Sequence, residues 1–161
     1  MIDDAILAQA ELLLAACRTK GWKIATAESC TGGLIAATLT AIAGSSDVVD
    51  RGFVTYSNEA KAMMLGVDFV VIAAVGAVSE AVARAMAAGA LSRSTADITV
   101  AVTGVAGPGG GSADKPVGLV WFGLATKASI HTERCIFPGD RSAVRAATVR
   151  HALDMIAKEL E

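Results

Sequence analysis

The chain has 161 residues, 53% of them hydrophobic and 19% charged, with fourteen basic and sixteen acidic side chains giving a net charge of −2. A chain of this length corresponds to one domain, 1–161, that buries roughly 70% of the surface its unfolded form exposes. The charge balance offers no broad footprint for a phosphate backbone, so nucleic acid is not an expected partner. The longest apolar run, Phe69 to Val78, is too short to cross a bilayer, so no membrane association is expected.

In chain order, Ile6, Leu7, Ala10, Leu13, Leu14 and Cys17 recur on one helical face, predicting a first helix from about Asp3 to Thr19 that stops at Lys20-Gly21. The same opening segment carries Asp3, Asp4 and Glu11 in place of a basic patch and an apolar core, so a secretory leader is not expected and the cytoplasm is the expected location. Trp22 to Ala27 reads as a strand, Glu28 to Gly33 as a turn, and the segment from Leu34 to about Gly44 as a second helix. Gly52 to Tyr56 is a second strand, followed by Asn58 as an N-cap and a short helix through Leu65.

Ser79 caps an alanine-rich helix to about Arg93, with Glu80 and Arg84 spaced to pair on its surface. Asp97 to Thr103 is a β-branched third strand, and Gly104 to Gly111 a glycine-rich loop. Val117 to Thr126 and Ile130 to Phe137 form a hairpin, and Asp140 caps the terminal helix. Helices alternating with strands predict a mainly parallel sheet covered on both faces, made mixed by the closing hairpin. Cys17, Cys30 and Cys135 have no Cys-x-x-Cys spacing and only two histidines beside them, so reduced thiols are expected, with no metal and no cofactor.

Ligands bind parallel α/β sheets at the carboxyl ends of the strands. That rule selects Ser29 to Gly33, Tyr56 to Lys61, and Thr103-Gly104. Ser29 and Lys61 are separated by about one βαβ unit, so they occupy equivalent turns of successive strands, which lie roughly 4.8 Å apart when paired. A lysine in the first turn of a helix meets the positive end of the helix dipole, which lowers its pKa toward that of a general base. Serine needs such a base to become a nucleophile, and Ser-Lys pairs are one known form of that arrangement. Tyr56 is placed to donate to or relay from the pair. Gly32 and Gly33 leave the backbone beside Ser29 uncovered, where N–H groups opening the helix can hold an oxyanion or a phosphate.

Each feature also has a plainer reading. Ser29 or Thr31 can be the N-cap of the second helix, Lys61 a solvated lysine, Gly104 to Gly111 a connector and Arg141 a surface arginine. Cys30 as a thiol nucleophile lacks a histidine at a strand's carboxyl end, since His131 falls inside a strand and His151 in the terminal helix.

Taken together, Ala27-Glu28-Ser29-Cys30-Thr31-Gly32-Gly33, Tyr56-Ser57-Asn58-Glu59-Ala60-Lys61, Thr103-Gly104-Val105-Ala106-Gly107-Pro108, Lys115-Pro116-Val117-Gly118 and Gly139-Asp140-Arg141 resemble the CinA C-terminal domain family. The likeness runs through nearly the whole chain. It implies a three-layer α/β/α sandwich with a mixed sheet of about five strands, similar to the anticodon-binding domains of aminoacyl-tRNA synthetases. It also implies an amidohydrolase that turns nicotinamide mononucleotide into nicotinate mononucleotide and ammonia, in pyridine nucleotide recycling. The family's serine, lysine and tyrosine fall on Ser29, Lys61 and Tyr56. Thr31, Gly32, Gly33, Asn58, Thr103 and Gly104 are the expected substrate contacts, with Ser46, Thr103 and Arg141 at the 5′-phosphate, where an arginine fork matches phosphate oxygens.

Two other readings stay open on the residues alone. One is a non-catalytic nucleotide-binding module holding phosphate at the Ser29 turn. The other is an interaction domain. The alanine-rich helices suggest packing between subunits and hence a homo-oligomer.

Overall fold

The computed structural model describes residues 2–161. Helix α1, Asp4–Lys20, begins where the Asp3 side chain accepts a hydrogen bond from the Ile6 N–H at 2.9 Å, and ends at Gly21, whose φ of +71° is left-handed. Ile6, Ala10, Leu13, Leu14 and Cys17 form its buried stripe, as the periodicity predicts. Strand β1, Ile24–Glu28, is buried at every position. Helix α2 spans Leu34–Thr40, and a 3-10 turn at Ser45–Asp47 leads into β2, Val49–Val54. Helix α3 is Asn58–Leu65, with Ser57 as its N-cap, the serine hydroxyl accepting from Ala60 N–H at 3.0 Å. Asn58, expected to be that cap, is instead the first helical residue.

The apolar run after Gly66, for which the sequence analysis assigns no element, forms α4, Phe69–Val75, capped by Asp68. Helix α5, Glu80–Ser92, follows Ser79, which caps it as expected. Strands β3, Ile98–Gly104, β4, Leu119–Thr126, and β5, Ile130–Ile136, precede helix α6, Arg141–Leu160, which is capped by Asp140.

The five strands form one mixed sheet in the order β2-β1-β3-β4-β5. The β2/β1 and β1/β3 ladders are parallel, and the β3/β4 and β4/β5 ladders antiparallel. Glu28 pairs with both Val54 and Val102, so the carboxyl ends of β1, β2 and β3 are level. Because β5 runs in the same sense as β3, its carboxyl end and the start of α6 reach that edge too.

Helices α1, α2 and α6 cover one face of the sheet, over a core that includes Leu14, Ile35, Val100, Val102, Phe122 and Leu153. Helices α3, α4 and α5 cover the other, over Ala27, Leu65, Val82, Met86, Ala101 and Ala125. The architecture is the expected three-layer α/β/α sandwich. Burying a side chain such as Met86 or Leu153 stabilises by roughly 1.5–3 kcal/mol.

Small residues set how near α5 comes to the sheet. A Cβ on Gly123 of β4 would lie 2.3 Å from the Ala83 carbonyl oxygen, and between α5 and α3 a Cβ on Gly89 would lie 2.0 Å from the Leu65 carbonyl oxygen. Ala83, Ala87 and Ala90 are fully buried in this contact. Ala83, Ala87 and Ala90 are therefore used within the chain, whereas Ala81 is exposed and Ala85 and Ala88 are half-buried. Among the described residues no helix is long and apolar enough to cross a membrane.

Candidate active site

The level carboxyl ends of β1, β2 and β3 bring three chain segments together at a cleft of about 330 Å³, within the size range of small-molecule sites. Ser29 follows β1 directly, its N–H donating to the Val102 carbonyl oxygen at 3.0 Å. Lys61 comes from the first turns of α3 and is 1% exposed; its Nζ lies 3.0 Å from Ser29 Oγ. The same nitrogen donates to the Thr55 carbonyl at 3.0 Å and the Tyr56 carbonyl at 3.3 Å. Among the described residues no carboxylate lies within 4.0 Å of it, because none of the ion pairs includes Lys61.

This coordination orients the lysine. A neutral amine has two N–H bonds and one lone pair, and the two carbonyls can only accept. In the neutral form both N–H bonds are therefore used by Thr55 and Tyr56, and the lone pair is left for the serine hydroxyl. Burial lowers the Lys61 pKa from 10.5 by disfavouring the charged form, the Cys30 thiol acting slightly the other way. The direction matches the sequence expectation, with desolvation as the principal cause.

Glu28, which in the sequence is legible only as part of the turn, has a fully buried carboxyl group. It accepts from Thr31 Oγ1 at 2.6 Å, from the Ile35 N–H at 2.8 Å and the Ala36 N–H at 2.9 Å, and from Thr26 Oγ1 at 3.3 Å. Glu28 thus caps α2 from seven residues upstream. The position of an N-cap residue belongs to Gly33, which has no side chain to serve, so neither Ser29 nor Thr31 fills it. The Leu34 N–H bonds the Thr31 carbonyl. With those amides occupied, the start of α2 does not offer the open N–H groups that the sequence suggested for an oxyanion or a phosphate. A search for carboxylates that end a strand just ahead of a helix would have drawn attention to Glu28.

Of the other expected residues, Tyr56, Asn58, Thr103, Gly104 and Arg141 line the cleft together with Ser29 and Lys61. Thr31, Gly32, Gly33 and Ser46 do not. Thr31 is buried behind the turn, its hydroxyl on Glu28 and its carbonyl accepting from Arg145 Nη2 at 2.8 Å. Gly32 and Gly33 both have positive φ, and their α-carbons face Arg145 and Val54. Ser46 precedes β2 and so lies at the amino end of that strand, the opposite edge of the sheet from the cleft.

Two cleft residues are engaged differently from their expected roles. The Tyr56 phenol oxygen accepts from Arg141 Nη2 at 3.1 Å, and it is the Tyr56 carbonyl, not the hydroxyl, that meets Lys61. The Thr103 hydroxyl, 1% exposed, donates to the Ala77 carbonyl at 2.9 Å. Arg141 also donates to the Gly107 carbonyl at 2.8 Å, so it joins α6, the glycine-rich loop and the β2–α3 turn. Cys30 lines the cleft, but burial, reinforced by the Glu28 charge, pushes its thiol up to about 12, which leaves it protonated. Among the described residues no group of three or more histidine, cysteine or acidic side chains could hold a metal ion.

The CinA C-terminal domain model matches residues 7–160, and the chain belongs to that family. It is 49% identical over 157 residues to the nicotinamide-nucleotide amidohydrolase PncC of Escherichia coli K12, covering 97% of this chain and 95% of that protein. The corresponding protein of Enterobacter agglomerans is 53% identical over 146 residues, covering 90% and 89%. A putative competence-damage inducible protein of Caldicellulosiruptor bescii is 49% identical over 93% of this chain, which spans 36% of that longer protein. Among solved structures, the competence/damage inducible protein CihA of Agrobacterium tumefaciens superposes with a TM-score of 0.95 at 49% identity, over 98% of this chain and 97% of that one.

Proposed function

We propose that this chain hydrolyses the carboxamide of nicotinamide mononucleotide, giving nicotinate mononucleotide and ammonia, and that it serves pyridine nucleotide recycling. The observation that carries the reading is the buried Lys61 Nζ, 3.0 Å from Ser29 Oγ, with its N–H bonds directed to two carbonyls. The two PncC relatives, matched along nearly their full length, support the substrate.

The chemistry runs in two halves. Lys61 takes the Ser29 proton as Oγ attacks the carboxamide carbon, and the resulting tetrahedral oxyanion needs N–H donors. The main-chain N–H groups of Ala106 and Gly107 belong to cleft residues and bond no acceptor among the described residues, so they are among the available donors. Lys61 then returns the proton to the departing nitrogen, and ammonia leaves as the C–N bond breaks. Water attacks the acyl ester with Lys61 again as base, releasing the carboxylate and restoring the serine. The Tyr56 hydroxyl accepts from Arg141 and keeps its own proton, so either Lys61 or Tyr56 can protonate the departing nitrogen, and Lys61 is the base in both halves.

The non-catalytic reading, with phosphate at the start of α2, has lost its main support, since Glu28 occupies those amides. Ammonia release from nicotinamide mononucleotide, measured beside Ser29→Ala and Lys61→Ala, tests the amidase reading. Turnover by the wild type that is abolished in both folded variants is the expected result. No ammonia from the wild type, with the nucleotide still raising its melting temperature, would replace the amidase with a binding module.

A further inference from the structure

The cleft has two walls that come from distant parts of the chain. Ala77 and Val78, in the short connection between α4 and α5, line one side, and Gly104 to Gly107 with Gly109 and Gly110 line the other. Lys115, at the far end of the glycine-rich loop, crosses between them: its Nζ donates to the Val75 carbonyl at 2.6 Å. Val75 is the last residue of α4, and the last turn of that helix contains no basic residue of its own. A cation at the carbonyl end of a helix is favoured by the helix dipole, so the loop supplies the charge that α4 lacks.

Local geometry shows that this crossing is built in. Gly76, which follows Val75, has a φ of +81°, and a Cβ there would lie 2.6 Å from Lys115 Nζ. Within the loop, Lys115 N–H donates to Ser112 Oγ at 3.1 Å and Ser112 N–H to the Lys115 carbonyl at 2.9 Å, which fixes the backbone from which the lysine extends. Nearer the sheet, Arg141 holds the Gly107 carbonyl and Thr103 holds Ala77. Between these ties, Gly109 has open space around its α-carbon.

We propose that Lys115 is a positioning residue: by tying the glycine-rich loop to the carbonyl end of α4, it fixes the separation of the two cleft walls and so sets substrate affinity without entering the reaction. The proposal rests on the amidase reading. Ser29 and Lys61 belong to other elements, and the Arg141 bond holds the Ala106-Gly107 donors independently of Lys115, so releasing the tie leaves the chemical step intact.

The test compares wild type, Lys115→Met and Lys115→Arg for ammonia release from nicotinamide mononucleotide, with amide hydrogen exchange on the same three proteins. Losing one charge-assisted hydrogen bond from the walls should raise KM about tenfold in Lys115→Met while kcat stays within about twofold. Arginine keeps the charge and the donors and should bring KM back to within about threefold of the wild type. Exchange should quicken at residues 109–114 and 76–78 in the methionine variant alone, while Gly107, held by Arg141, stays as in the wild type. An unchanged KM, a loss confined to kcat, or no recovery with arginine would overturn the proposal. Should the wild type release no ammonia, the amidase reading fails separately, and unchanged exchange in Lys115→Met would then overturn the tie itself.

Discussion

Replacing Lys61 by methionine separates its chemistry from its cost to the fold. Methionine keeps an unbranched side chain in the site but has no proton to accept, and loss of a general base should lower ammonia release by about 10²–10⁴-fold. Stability responds with a definite sign. Burial holds the folded-state pKa of Lys61 below 10.5, so the unfolded chain binds the proton more tightly than the folded one. Below the folded-state pKa the whole penalty is present, about 1.4 kcal/mol for each unit of depression, and it is relieved as pH rises toward 10.5. Opposing it, the hydrogen bonds to the Thr55 and Tyr56 carbonyls contribute about 1 kcal/mol each, and methionine loses both. Those bonds persist when the amine is neutral, so they set the offset between the two proteins but not its change with pH. Urea unfolding of both proteins from neutral pH to pH 10 should show the wild type gaining stability relative to Lys61→Met as pH rises. Parallel curves over that range would refute the claim that Lys61 is held in a desolvated, readily deprotonated state. The wild-type rate should likewise climb with pH and level off below 10.5.

Two further substitutions address residues beside the pair. Glu28→Gln keeps the shape but turns a donor toward the Ile35, Ala36 or Thr31 donors, at a cost of about 3 kcal/mol, which for a chain of this size lowers the melting temperature by roughly 6–12 °C. A scanning-calorimetry shift under about 2 °C would show that Glu28 does not hold the turn. Arg141 has five N–H donors and uses two in the contacts to Gly107 and Tyr56, so a phosphate can take others. Arg141→Ala should therefore raise KM for nicotinamide mononucleotide about tenfold more than for nicotinamide riboside, and equal effects on the two would remove Arg141 from the phosphate site.

The pairing of Ser29 with Lys61 was legible because it depends on topology alone: two turns one βαβ unit apart, at the carboxyl ends of adjacent parallel strands. Ser46 shows the limit of that reasoning. Without the start of β2 at Val49, nothing in its neighbourhood says which edge of the sheet it reaches. Val49-Asp50-Arg51 looks like a connection because β2 is an edge strand with polar residues exposed, and so the strand was expected only from Gly52. Helix α4 was missed for the opposite reason: Phe69 to Val75 is uniformly apolar and has no period to read. Its signals were the ends, Asp68 as a cap and Gly76 as a stop. Tyr56 could be placed at the cleft, but whether its hydroxyl meets Lys61 or Arg141 depends on α6, more than eighty residues away.

The adjacency of Glu28 and Ser29 explains how a lysine can serve as a base in a site with a carboxylate next door in sequence. Successive side chains of a strand point to opposite faces of the sheet. Glu28 therefore enters the α2 face, where Thr26, Thr31 and two helix amides receive it, while Ser29 turns toward α3 and Lys61. A carboxylate on the Lys61 face would stabilise the ammonium and raise its pKa, which would suppress the neutral form the serine needs. With the sheet between them, the same dipeptide contributes a helix-capping carboxyl group on one side and, in the proposed mechanism, the nucleophile on the other. Lys61 keeps only uncharged oxygens as partners. Desolvation then outweighs the opposing effect of Cys30, and the lysine pKa falls in the direction that general-base catalysis requires.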